Sequence, residues 1–205
     1  TTRLVGSEMC IRDSLRSLSF QNVKVVPFLG TPGAIQSDSW NTTTYSNTLA
    51  TKVGNLLHCA SYNLSAPMYV EGTKEKELIE SIDEIAKVLH MAETADIALI
   101  GIGSMQDDSS IIKAEIRTRE EYKELVRKGA VGEIVGRIYD KNGQTVDEDL
   151  KRKMVGISLD KIAKIPVRVG MSYGKDKIEA IKGAIAGGLV NVLVTDVPTA
   201  ELLLK

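Results

Sequence analysis

Asp96-Ile-Ala-Leu-Ile-Gly-Ile-Gly103 is a short apolar run that ends in Gly-x-Gly, with helical patterns on both sides of it. A run of this length, bounded by glycine, predicts a strand buried on both faces of a parallel sheet. In such sheets the ligand crevice lies beyond the carboxyl ends of the strands. Glycines there, Gly101 and Gly103, let a ligand or another backbone come close. A tight turn with no ligand would use the same residues, so the rest of the chain has to decide.

Working outward, helical and extended patterns alternate. Toward the N-terminus, Lys74 to Glu93 carries an apolar stripe of Leu78, Ile82, Ile85, Val88 and Leu89. Ser81-Ile-Asp-Glu84 looks like a capping box that restarts the helix midway. Val23 to Leu29 reads as a strand in which Pro27 argues for an edge position or an early end to pairing, and Gly30-Thr-Pro-Gly33 follows as a loop. Thr42 to Asn55 is a candidate helix, Cys59 to Leu64 a second short strand, and Ser65 to Gly72 an irregular connection.

Toward the C-terminus, Ser109 or Ser110 caps a short helix. Thr118-Arg-Glu-Glu121 is a capping box for a helix ending at Gly129. Gly132 to Asp140 reads as one extended segment, and Asn142-Gly143 as a hairpin turn returning through Gln144 to Val146. Ser158 to Lys164 is a short helix and Ile165 to Gly170 a strand. Asp176 to Ala186 is a helix with Ile178, Ile181 and Ile185 inward. Val190 to Thr195 is the last buried strand, and Asp196 caps the final helix with Pro198 in its first turn. The class is therefore α/β, with a mainly parallel sheet and a small antiparallel insertion.

Composition narrows the functional classes. The chain has 205 residues, 43% hydrophobic and 26% charged, with a net charge of -1, which suits one soluble globular domain. No basic field argues for nucleic-acid binding by these residues. No apolar run reaches the length of a membrane span. Cys10 and Cys59 make no disulfide framework, which fits a reducing cytoplasm. His58 and His90 lack metal-ligand spacing, and His58 reads as a packing or surface residue. No metal or cofactor is expected. A Gly-x-Ser-x-Gly elbow, a Walker A pattern and a paired-cysteine motif are all absent. Residues 1–14, "TTRLVGSEMCIRDS", have no clear period, and the piece "GSEMCIRDS" resembles translated adapter sequence. They are expected to be a non-native or disordered leader, with the authentic chain running over 15–205.

Several predicted strands end in glycine or a small polar residue: Gly30-Thr31, Gly103-Ser104, Gly170 to Gly174, and Thr195-Asp196. In a parallel sheet these gather at one edge, where backbone N–H groups suit an anionic oxygen. Lys177, in the first turn of a helix, opposes the helix dipole and calls for a ligand anion or a nearby carboxylate. On an uninterrupted strand, Glu133 and Arg137 share one face and together offer an acid and a base to a ligand. The bland reading is a weak cross-strand ion pair.

Five stretches, taken in order, resemble the effector-binding domain of SorC-family transcriptional regulators, the bacterial sugar-binding regulators. They are Val25-Val-Pro-Phe-Leu-Gly30, Ser46-Asn-Thr-Leu-Ala50, Ala95 to Gly103, Gly129 to Asp140, and Gly187 to Asp196. The resemblance implies a fold like that of ribose-phosphate isomerase and glucosamine-phosphate deaminase. It also implies a role: binding a phosphorylated sugar and changing how an attached helix-turn-helix holds operator DNA, commonly in a tetramer. By resemblance, Gly30 and Thr31 line the sugar loop, and Gly101 and Gly103 lie at the central strand end. Glu133 and Arg137 form the polar segment over the sugar, and Gly174 and Lys177 match a Gly-x-x-Lys effector contact.

Two departures stand out. Gly30-Thr-Pro-Gly33 replaces the family's Gly-Gly. The family's first strand and its Gly-[Ser/Thr]-Thr phosphate loop belong before Leu15, where "LVGSEMCIRDS" stands, and the helix-turn-helix is not in this sequence. The other reading is a sugar-phosphate isomerase or deaminase on the same fold. Such an enzyme would need a general base, for which Glu133 is the candidate.

Overall fold

The run around Asp96 forms two strands. In the computed structural model, which describes residues 22–32, 45–106, 109–113 and 115–205, β3 (Ile97–Gly101) stops before Ile102, and β4 (Gly103–Ser104) starts a different sheet. The predicted leader, residues 1–14, lies outside the described residues. The described part divides into two units, one within Thr1–Ala95 with Arg152–Ile157, the other Asp96–Lys151 with Ser158–Lys205.

In the first unit, β1 (Lys24–Val25) and β2 (Ala60–Ser61) pair in parallel, with Lys24 opposite Ala60. Pairing of β1 ends before Pro27, as its missing N–H requires. Isolated antiparallel bridges, Leu29 with Gly156 and Tyr69 with Met154, continue the extended chain. Helix α1 (Ser46–Leu57) closes on His58 in a left-handed conformation at φ 50°. Helices α2 (Thr73–Glu80) and α3 (Asp83–Glu93) confirm the predicted break. The capping box at Ser81 does not form. Ser81 ends α2, its hydroxyl donating to Leu78 O at 2.7 Å, and Ile82 takes the N-cap position of α3 without a side-chain bond. One core cluster of the unit is Leu64, Ala66, Val70, Ile85 and Val155, with Ile79, Val88 and Leu89 against it. Leu78 and Ile82 of the predicted stripe are exposed.

In the second unit, β3, β7 (Val167–Met171) and β8 (Val192–Val194) form a parallel sheet in the order β3-β7-β8. β3 is buried on one face only: Ala98 and Ile100 are covered, whereas Ile97 is 58% and Leu99 39% exposed. A continuous apolar run does not reveal this, because alternation of environment leaves no trace when both faces carry aliphatic side chains. Between β4 and β7 come α4 (Ser110–Lys113), α5 (Arg119–Arg127), β5 (Ala130–Ile134), β6 (Arg137–Asp140), α6 (Glu148–Lys153) and α7 (Leu159–Ile162). β4, β5 and β6 are the small antiparallel sheet. The chain closes with a 3₁₀ turn (Lys175–Lys177), α8 (Ile178–Ala186) and α9 (Val197–Leu203). Ile181 is buried under α8, but Ile185 is exposed.

The predicted caps of α5 and α9 hold. Thr118 Oγ1 accepts from Glu121 N at 3.2 Å, and the Glu121 carboxylate accepts from Thr118 N at 2.8 Å. That backbone donor, then the Thr118 hydroxyl, lowers the Glu121 carboxyl below its ordinary range. Asp196 Oδ1 accepts from Thr199 N at 3.1 Å.

The predicted extended segment from Gly132 to Asp140 is a hairpin. Ile134 pairs with Arg137, and the two residues between them turn with φ 51° at Val135 and 67° at Gly136. Two positive φ values are the pattern of a type I′ turn, which favours Asn-Gly. The Asn142-Gly143 turn follows as expected, although its return is a single bridge, Tyr139 with Thr145. A β-branched residue in the left-handed region is strained by roughly 1–2 kcal/mol. Val135→Asn is therefore expected to raise the stability of the chain by about 1 kcal/mol. Urea unfolding would show this as a higher midpoint at unchanged slope, and a lower midpoint would refute it.

Candidate functional site

The carboxyl ends of the parallel strands bring several predicted residues together. Gly101 lies opposite Met171, which lies opposite Val194. The segments Gly101 to Ser104, Gly170 to Gly174 and Thr195-Asp196 therefore leave the sheet at one edge. Hydrogen bonds tie them: Ser172 Oγ donates to Ile102 O at 3.0 Å, and Ser172 N to Val194 O at 3.2 Å. Gly174 N donates to Thr199 Oγ1 at 2.8 Å. That amide is thus already engaged by the protein, unlike the open anion-binding N–H the glycine pattern predicted. The glycine is still required. Its φ is 108°, and a Cβ would stand 2.7 Å from Asp176 Oδ1.

Lys177 sits at this edge in the 3₁₀ turn, one residue before α8. Its Nζ donates to Ser104 Oγ at 2.9 Å and lies 3.6 Å from Asp176 Oδ2. Ser104 Oγ in turn donates to that carboxylate at 3.4 Å. The carboxylate the sequence called for is thus the preceding residue, and it balances a cation at the unfavourable end of a helix. The Lys177 side chain is 25% exposed, so it is held in place yet not closed off from solvent. Ser104, Asp176 and Lys177 make a compact donor–acceptor group that can exchange an internal contact for an anionic oxygen.

Glu133 and Arg137 are separated by the hairpin. Residues opposite each other in an antiparallel pair share a face. Glu133 shares one with Ile138 and with Gly103, and Arg137 shares the other with Ile134. The expected common face for this acid and base rested on an uninterrupted strand, which the 135–136 turn removes. On its own face Glu133 receives the Ser109 hydroxyl at 2.6 Å and the Tyr122 hydroxyl at 3.5 Å. Gly103 makes room for it: a Cβ there would be 2.6 Å from Glu133 Cγ. The close approach that Gly-x-Gly permits at Gly103 is therefore to a side chain. Arg137 is buried, at 3% exposure. Tyr139, also buried, donates to Ala180 O at 2.9 Å; burial and then the Glu133 charge push its phenol well above the usual range, so it stays neutral.

Gly30 and Thr31 belong to the first unit. A Cβ on Gly30 would meet Pro67 O at 2.5 Å, so glycine there serves a close backbone approach. Thr31 Oγ1 accepts from Asn47 Nδ2 at 2.9 Å, and Asn47 also pairs with both backbone groups of Leu64, Leu64 N donating at 2.8 Å and Leu64 O accepting at 3.1 Å. The sequence marks Ser104 only as part of a strand end and Ser109 only as a cap, and it carries no signal that marks Asn47, Tyr122 or Asp176. Small polar residues after a strand carry no mark of their partners, which stand tens of residues away. Among the described residues no three His, Cys, Asp or Glu side chains are grouped to hold a metal ion. No helix among them is long and apolar enough to cross a membrane.

Residues 7–205 match the family described as "Putative sugar-binding domain". The transcriptional regulator LsrR of Enterobacter sp. (strain 638) is 30% identical over 199 residues, 95% of this chain and 57% of the regulator. LsrR of Escherichia coli O9:H4 (strain HS) is 36% identical over 159 residues, 76% of this chain and 50% of the regulator. The chain spans about half the length of the curated relatives it matches. The crystal structure of the full-length sorbitol operon regulator SorC from Klebsiella pneumoniae superposes with a TM-score of 0.84 at 27% identity, covering 97% of this chain and 64% of that one.

Proposed function

As a member of the sugar-binding domain family of SorC-type transcriptional regulators, this chain, we propose, senses a phosphorylated sugar and passes its occupancy to a DNA-binding domain elsewhere in the regulator. The observation that carries the phosphate part of the reading is Lys177, held at 2.9 Å from Ser104 Oγ at the carboxyl edge of the parallel sheet. An ammonium with a neighbouring hydroxyl and an open side suits a phosphate oxygen. Gly101, Gly103 and Gly174 add no side chain of their own at that edge, and Glu133, packed against Gly103, offers a carboxylate to a sugar hydroxyl. Arg137, buried at the start of the returning strand of the hairpin that carries Glu133, enters the reading through the resemblance. Gly30 and Thr31, in the first unit, are given a sugar-loop role by the resemblance alone.

The reading includes a cytoplasmic setting, operator DNA reached only through the other domain, and a homo-oligomer, a tetramer by resemblance. It is a reading of a binding domain rather than an enzyme: the Glu133 carboxylate, the candidate base, already accepts from the Ser109 and Tyr122 hydroxyls, which favours a fixed acceptor over a proton carrier. Sensing itself requires that the sugar bind one assembly state better than another.

Calorimetric titration with ribose 5-phosphate, fructose 6-phosphate and glucosamine 6-phosphate, each beside its unphosphorylated sugar, tests the reading. At least one phosphate ester is expected to bind about tenfold or more tightly than its parent sugar, the effect of one charge-assisted contact, and to be recovered unchanged. Equal affinities would remove the phosphate, and steady conversion of the ester at about 1 per second would establish the isomerase or deaminase instead.

A further inference from the structure

Glu133 is placed by a hydroxyl with little freedom. Ser109 Oγ accepts the Ile111 N–H at 3.2 Å and stands 2.6 Å from Glu133 Oε2. With the amide hydrogen on one side of the oxygen, the hydroxyl's own hydrogen is directed at the carboxylate. Ser109 is 6% exposed and Tyr122, whose hydroxyl reaches the same oxygen, 2%. Gly103 receives the Glu133 Cγ where a Cβ would be 2.6 Å away. Three separate segments, Gly103 on β4, Ser109 before α4 and Tyr122 on α5, thus define one side-chain position.

We propose that Ser109 is a positioning residue for ligand recognition: it holds the Glu133 carboxylate as a pure acceptor, so that the site takes a sugar hydroxyl there and rejects a second anionic group. This rests on the sensing role proposed above. Its specificity content is that the effector turns a neutral hydroxyl, not a charged group, toward Glu133. A hydrogen bond to an ionised acceptor is roughly twice as strong as a neutral one. The cost of losing it is therefore readable in affinity.

A double-mutant cycle on the 205-residue chain decides it, using whichever of ribose 5-phosphate, fructose 6-phosphate and glucosamine 6-phosphate binds the wild type most tightly. Ser109→Ala is expected to weaken binding about tenfold. In a Glu133→Gln background the same change is expected to cost less than about twofold, because its partner is already altered. Ser109→Thr, which keeps the hydroxyl, restores binding. Equal losses in both backgrounds, no loss, or failure of the threonine to restore binding would each overturn the proposal. If Lys177→Met weakens binding but Ser109→Ala does not, only this inference falls. If none of the three esters binds the wild type, the sensing role falls and this inference with it.

Discussion

Asp147→Ala is expected to lower the stability of the chain by about 3 kcal/mol, the scale for breaking a buried ion pair from one side. Asp147 is 7% exposed and meets Arg117 twice, Oδ2 accepting from Nε at 2.9 Å and Oδ1 from Nη2 at 3.1 Å. The Arg117 side chain is itself only 11% exposed. Oδ1 also accepts from Leu150 N at 2.9 Å, capping α6. Alanine removes both a helix cap, worth about 1 kcal/mol, and the counter-charge. Asp149, 3.0 Å from Arg117 Nη2 but 46% exposed, compensates only in part. The loss comes mainly from the charge left behind rather than from a strong pair. The double variant Arg117→Met, Asp147→Leu should therefore recover at least half of it. Urea unfolding read on the second unit is the measurement. A cost below about 1 kcal/mol would mean that Arg117 relaxes into solvent.

How far the sequence carries the reader depends on whether a signal is local. Asn142-Gly143 announces its turn because both residues tolerate positive φ. The turn at Val135-Gly136 was missed because a β-branched residue advertises extended backbone, and here it is forced against that preference. The error propagated to the site: an uninterrupted strand puts Glu133 and Arg137 on one face, and a hairpin puts them on two. Thr118 and Asp196 were legible as caps because cap and partner lie three residues apart. Ser81 carried the same spelling and did not act, since the chain had to end one helix there before beginning the next. The aliphatic run from Ile97 fixed a strand but not its exposure. Gly103 is expected to admit a ligand or another backbone, whereas what approaches it is the Glu133 side chain, thirty residues on. Lys177 stood out because its charge opposes the helix it introduces. Ser104 and Ser109, which complete the two polar groups, could be found only from the fold.

Lys177→Met is expected to weaken binding of a sugar phosphate by about 10- to 150-fold, while leaving the melting temperature without ligand nearly unchanged. Methionine keeps the length of the apolar stem and removes only the charge. The binding figure follows from losing one hydrogen bond to a charged group, about 1.5–3 kcal/mol, converted to affinity. The stability half follows from exposure. Asp176, the partner at 3.6 Å, is 48% exposed, and a solvated pair at that distance contributes little. Ser104 Oγ, deprived of the ammonium, still meets Asp176 Oδ2 at 3.4 Å. The two halves separate a binding residue from a structural one. A structural lysine would lower the melting temperature in proportion to any loss of affinity, whereas a ligand contact moves only the affinity. Salt provides a further handle. Raising ionic strength should weaken the wild type toward the variant, because screening acts on the contact that methionine lacks. Calorimetric titration at low and high salt, beside thermal melts, reads all three quantities. An unchanged dissociation constant would remove Lys177 from the site, and with it the argument that the sugar arrives phosphorylated.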